Sequence, residues 1–371
     1  MSEEVKNEII DVLKIKINPD IPFVANFFNK DGFVDMALME KWCGANGYTY
    51  ERQKMKGRTF THNVYKVKVE DKDGNVVADM FNKNCKYIDN VAETVVGRIA
   101  NKVGIKAVDT YMAANPGGSK GTIANNGVPE NCKFIEIASI LPGDDGWGKN
   151  SLKDVFEAIK GIKDSKFGKG DPDMQVDPQI YMDFMKLAIF DFCTAQSDRN
   201  IHNYGLIYNK DTHSLSLGPV WDNGNAFAMD NKETYSGALN FVKSGSNCSS
   251  LALGYGLDVS AQGITQINDD NYMMITEVVQ QLKSPEFVEM VKDYKLDMRE
   301  LVRFTHSIGQ VDINELNAEA EEQGDYVLSS EETEVVSEVM ADRSERLERI
   351  LTNVAVQNDL FDLSFGGGQG D

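Results

Sequence analysis

The chain has 371 residues, 42% hydrophobic and 26% charged, values of a globular protein with room for two packed lobes or one large domain. Its net charge of −20 excludes a nucleic-acid footprint, because phosphate-backbone binding needs clustered Lys and Arg; a local basic patch for a small phosphate compound stays open. The five cysteines are scattered without a C-x-x-C pair, which reads as reduced thiols in a cytoplasmic protein, and no apolar run approaches the roughly 20 residues that cross a bilayer. The first twenty residues are acidic and mixed, unlike a secretory leader.

Residues 1–45 read as an N-terminal extension, with a short helical pattern around Val34 to Trp42 that stops at GANG. Three alternating segments follow, YTYERQKM, VYKVKVE and VVADMFNK, which predict an antiparallel meander; a polar turn over residues 56–63 joins the first two and DKDGN the last two. DKDGN imitates the start of a calcium loop, but its glycine comes too early and its flanks are strands, so a tight hairpin turn is expected. Val91, Val95, Ile99 and Val103 then step at helical spacing up to Gly104. DTYMAA and KFIEIASIL read as two further strands separated by a flexible excursion, NPGGSKGTIANNG, which lacks the phosphate-binding pattern G-x-x-x-x-G-K-[ST]. The small lobe is therefore set at residues 46–141, a five-stranded antiparallel sheet with one helix.

Residues 142–354 read as a larger, mainly helical lobe. Its apolar helix IYMDFMKLAIFDFCTA delivers the polar stretch SDRNIHNYGLIYN, and a hairpin turning at KDTH returns through SLSLGPVWD. Val335, Val339, Arg343 and Leu347 step every four residues in a late helix, and the glycine-rich end, residues 355–371, reads as a disordered tail. The acidic run EAEEQGD reads as a solvated face.

Asp198 and Asn203 stand in a D-x4-N relation, and the hairpin brings Asp222 of GPVWDNG back toward them. Two carboxylates and an amide suit a hard cation with oxygen ligands, the requirement for holding magnesium on a nucleotide's phosphates. Asp and Asn also favour turn caps, and His202 has no second histidine at ligand spacing, so it reads as a loop residue.

The stretch SDRNIHNYGLIYN with GPVWDNG resembles the catalytic loop and metal-binding motif of HipA-like serine/threonine kinases, a protein-kinase-like family related in active-site pattern to the phosphatidylinositol kinases. The lobe order matches across roughly residues 46–352, the specific motifs over 197–225. The resemblance implies an α+β, bilobal protein-kinase-like fold, with a small antiparallel-sheet lobe carrying one helix and a larger mainly helical lobe. It implies Asp198 as catalytic aspartate, with Asn203 and Asp222 as magnesium ligands. The family commonly has histidine two places after the aspartate, where this chain has Asn200, and the conventional kinase phenylalanine after the metal-binding aspartate is replaced by Asn223.

The same resemblance asks the small lobe for a lysine that holds ATP phosphates. Lys83 takes that place with Glu93 as partner, and Lys86, Lys66 and Lys68 compete for it. The loop with Gly57, Arg58 and Thr59 would cover the phosphates, and FIEIA, including Glu136, is the candidate hinge strand beside the adenine. The expected activity is magnesium-dependent transfer of the γ-phosphoryl of ATP to a serine or threonine of a protein substrate, with autophosphorylation and an antitoxin-like regulator as further expectations. No nucleic acid or membrane partner is expected. The alternative is a nucleotide-binding pseudokinase that works by holding a partner; a third reading transfers a nucleotidyl or lipid phosphoryl group.

Overall fold

The computed structural model describes residues 15–55, 63–85, 87–141, 152–196, 199, 203–227 and 282–362. After the two-residue strand β1 (Val34–Asp35), Asp35 caps helix α1 (Met36–Asn46) by accepting the Leu38 N–H at 2.9 Å, and Gly47, at φ 77°, ends it. Strands β2 (Thr49–Lys54), β3 (Asn63–Glu70) and β4 (Val76–Asn84) form the expected meander, with Tyr50 opposite Val69 and Val67 opposite Met80. The Asp71 carboxylate accepts the N–H groups of Asp73 and Asn75 at 2.9 and 2.8 Å, so DKDGN is the hairpin turn that its flanks require. Helix α2 (Tyr87–Lys102) buries Val91, Val95 and Ile99 completely or nearly so, each worth about 1.5–3 kcal/mol of apolar transfer.

The sheet has six strands, in the order β1-β5-β6-β4-β3-β2, with β5 at Thr110–Ala114 and β6 at Lys120–Asn125. Two of these were not expected. β6 lies inside the stretch read as an excursion: Gly117 and Gly118, both at φ 87°, turn the chain, and KGTIAN then pairs with β4 and β5. Small residues dilute its strand pattern for a steric reason, since a Cβ on Gly121 would lie 2.3 Å from the Lys83 carbonyl oxygen. β1 joins the sheet as a parallel partner of β5. The stretch read as an extension thus packs on this sheet, where Val24, Phe27, Met36 and Trp42 share a buried cluster with Val67, Val69, Met80 and Ile123.

The strand read in KFIEIASIL, β7 (Cys132–Glu136), leaves the first sheet altogether. It pairs antiparallel with β9 (Gly205–Asn209) in a second sheet of order β7-β9-β10-β8, where β10 is Ser214–Leu217 and β8 is Gln175–Val176. The expected five-stranded sheet is corrected accordingly: its fifth strand belongs to the large lobe. The other described elements of that lobe are mainly helical, with α3 (Leu152–Lys160), α4 (Gln179–Cys193), α5 (Pro285–Asp293), α6 (Met298–Gly309), α7 (Ile313–Glu322) and α8 (Ser330–Gln357). Ser329 and Glu332 close a reciprocal capping box at the start of α8. The four-residue stripe from Val335 to Leu347 is buried as expected, and its Arg343 donates to the Phe192 carbonyl at 3.0 Å. Residues 355–357 continue α8, and Ala355 and Leu360 are buried, so ordered chain extends into the stretch read as a tail.

Among the described residues no helix is long and apolar enough to cross a membrane. The larger buried cluster runs without a break from α2 through the helices of the large lobe. This continuity bears on the site below.

Candidate functional site

Lys83 is the penultimate residue of β4, opposite Thr122 of β6 and Val64 of β3. Strand alternation sends its side chain to the face opposite Met80 and Asn82, toward α2. Its ammonium lies 3.9 Å from the Glu93 carboxylate and forms a direct ion pair with Asp222 from beyond β10. Three residues separated by up to 139 positions therefore meet at one point between the lobes. Burial pulls the lysine's pKa down, but the Asp222 and Glu93 carboxylates outweigh it and hold the ammonium above the ordinary lysine value. Burial pushes the Glu93 carboxyl up against the opposing pull of Lys83.

Asp222 sits at φ 57°, in the left-handed region that Asp tolerates better than most residues. Its neighbours fix it there. The Gln196 side chain donates to the Asp222 carbonyl at 3.3 Å, and Val220 exchanges backbone hydrogen bonds with Lys106 and Val108 of the small lobe at 2.9 and 3.2 Å. Ala195 and Phe227 also take positive φ, 51° and 58°, and the Phe227 N–H donates to the Thr194 carbonyl at 2.6 Å. Three strained residues around one cluster mark a place where the chain is over-determined by its surroundings.

Arg199 ties this cluster to the rest of the motif. It is 1% exposed and donates from Nε and Nη2 to the Asp191 carboxylate of α4, at 3.1 Å for the closest contact of each nitrogen. Its other donors reach the carbonyls of Trp221 (2.6 Å) and Asn203 (3.5 Å) and the side-chain oxygen of Asn223. One guanidinium thus links the loop that holds Asn203 to the segment that holds Asp222. Burial raises the Asp191 carboxyl and Arg199 opposes that rise, so the two charges depend on each other. Sequence reasoning passed over Asp191, Gln196 and Arg199, and it met Asn223 only as a departure from the family pattern; an acid deep in the apolar run LAIFDFC was the available signal, because such a group must be paired.

The structure brings together Lys83, Glu93 and Asp222 and connects Asn203, 8% exposed, to them through Arg199. Asp198, Gly57, Arg58 and Thr59, with Asn200, His202 and the competing Lys86, lie outside the described residues. Glu136 ends β7 opposite Gly205 with its side chain exposed. The competitors Lys66 and Lys68 pair elsewhere, with Asp79 (3.2 Å) and Glu70 (2.5 Å). Among the described residues no three His, Cys, Asp or Glu gather into a metal cluster. The donor set at hand is one carboxylate, Asp222, and one amide, Asn203; oxygen donors of this kind fit magnesium, which fills its other positions with water and phosphate.

Fold and site together make an α+β molecule of two lobes: a small lobe built on a mostly antiparallel sheet with a lysine–glutamate pair, and a larger, mainly helical lobe that supplies an aspartate. No protein-family model matches the chain, and no curated protein matches it. Among solved structures it is similar to the Helicobacter pylori proinflammatory kinase CtkA, at 14% identity and a TM-score of 0.49, over 83% of this chain and 97% of that one. It is also similar to the toxin HipA of Shewanella oneidensis MR-1, solved with HipB and its operator DNA, at 14% identity and a TM-score of 0.45, over 83% of this chain and 65% of that one.

Proposed function

We propose that the chain is a kinase that transfers the γ-phosphoryl of ATP to a serine or threonine hydroxyl of a protein. The observation that carries this reading is Lys83 standing between Glu93 and Asp222, one partner in each lobe. Phosphoryl transfer asks the protein chiefly for positioning and charge stabilisation, and a permanently charged lysine held by two carboxylates suits a triphosphate. Asn203 and Asp222 would hold magnesium, which supplies neutralisation of the phosphate charge when bound.

In the proposed step the acceptor oxygen bonds to the γ-phosphorus, the bond to the β–γ bridging oxygen breaks, and ADP leaves. Asp198 orients the acceptor hydroxyl and takes its proton. Lys83 holds the non-transferred phosphates, Glu93 fixes Lys83, and Arg199 sets the spacing between the Asn203 loop and Asp222. The acceptor is proposed to be a protein, including the chain itself; the cytoplasm is the proposed location, and an antitoxin-like protein the proposed regulator.

Asp198→Ala tests the reading. Transfer to protein hydroxyls should fall by on the order of 10²–10⁴-fold while the melting temperature holds, because the substitution removes the proposed base and no apolar group. Transfer at the wild-type rate by this variant would remove Asp198 from the mechanism. Nucleotide binding without any transfer by the wild type would favour the partner-holding pseudokinase.

A further inference from the structure

Helix α2 is gripped from behind by the connection between α7 and α8. Arg98 donates to Asp325 at 2.8 Å, and the Asp325 carboxylate is 5% exposed. Tyr87 meets the Tyr326 hydroxyl at 2.7 Å, and Tyr326 in turn donates to the buried Glu332 at 2.8 Å. Lys102 pairs with Glu315 and Glu319 at 3.1 and 3.0 Å. The acidic run read as a solvated face therefore holds an internal ion pair at Asp325 and a helix-to-helix bridge at Glu319. On the far side of Tyr326, the Phe33 ring lies 5.6 Å away, and a Cβ on Gly32 would come within 2.5 Å of the Tyr326 nitrogen.

The helix geometry gives this grip a direction. At about 100° per residue, Tyr87, Arg98 and Lys102 stand about 120°, 140° and 180° around α2 from Glu93. The connection therefore holds the face turned away from Lys83. Rotating α2 by one residue would break all these bonds and carry Glu93 out of reach of the lysine. A cavity of about 350 Å³ lies along the same seam, lined in part by Arg98, Lys102, Tyr111, Glu319 and Asp325, so α2 meets α7 mainly through these polar bonds at this end.

We infer that Asp325 and Tyr326, with their partners Arg98 and Tyr87, are positioning residues that fix Glu93 against Lys83 from the opposite side of α2. The inference rests on reading Glu93 as the partner of a phosphate-holding lysine, but its physical core is the alignment of α2. Arg98→Gln breaks the ion pair with Asp325, Tyr326→Phe removes the hydroxyl's bonds to both Tyr87 and Glu332, Arg98→Lys keeps the ion pair, and Leu351→Ala empties a buried position late in α8 as a control.

Hydrogen exchange of the full chain is the first readout. In Arg98→Gln and Tyr326→Phe the amides of residues 87–102 should exchange about tenfold faster, the factor a lost charge-assisted or buried hydrogen bond supplies, with Arg98→Lys restoring protection and Leu351→Ala sparing α2. The second readout is kcat for transfer from ATP. Arg98→Gln should lower it about tenfold in the wild-type background and leave it unchanged in Glu93→Gln, since both act through one contact. Unchanged exchange in α2, or equal loosening across the chain, would overturn the positioning role. Altered exchange in a chain that transfers no phosphoryl would leave that role standing and remove the kinase reading instead.

Discussion

Asp191 and Arg199 are fully buried opposite charges, and the fold keeps them because the guanidinium also serves Trp221, Asn203 and Asn223. Arg199→Met strands a buried carboxylate and should cost about 3–5 kcal/mol in denaturant unfolding. Adding Asp191→Leu should recover much of that stability, yet transfer should stay lost, because the guanidinium that spans the Asn203 loop and the Asp222 segment is gone. Recovery of both together would mean that Arg199 matters for packing alone. Glu93 gives a second test at this scale. Its folded pKa is raised by burial, so the folded state takes up a proton at a pH where the unfolded chain is still ionised. The carboxylate's own contribution to stability consequently rises as pH falls through that window, while its hold on Lys83 is lost. Transfer should therefore decline on acidification before the ordinary carboxylate range is reached, with no parallel drop in melting temperature, and Glu93→Gln should remove that limb of the pH profile.

Among the elements, α2 and the β9–β10 hairpin were legible because each carries a strong local signal: four apolar residues at helical spacing, and two alternating runs around KDTH. Their meeting was expected only from the family resemblance, which asked the small lobe for Lys83 with Glu93 as its partner. What stayed hidden depends on contacts far apart in sequence. β6 is masked by the glycine that lets it pass the Lys83 carbonyl, β7 reads as a strand without declaring which sheet it joins, and Asp325 reads as one more acid in an acidic run until Arg98 is placed beside it. Gly32 belongs to this group too. At φ 75°, buried and against the Tyr326 backbone, Gly32→Ala should cost at least about 1–3 kcal/mol, measured by denaturant midpoint. An unchanged midpoint would show that the α7–α8 connection yields easily.

Across the described residues, the lobes are joined by β7 crossing into the second sheet, by Val220 bonding to residues 106 and 108, by the bonds from α2 to the α7–α8 connection, and by the buried cluster around α2 that runs on into the helical lobe. Such a junction holds Lys83, Glu93 and Asp222 at one point although they come from three elements. The chain's charge of −20 leaves this lysine as a locally compensated cation in an acidic molecule, and the proposal gives it a small phosphate compound rather than a polyanion. The most direct test is incubation of the whole chain with γ-labelled ATP and magnesium, beside Asp222→Ala. The account predicts label on serine or threonine in the wild type and none in the variant. Equal labelling of both, or nucleotide that stabilises the wild type without any label appearing, would contradict it.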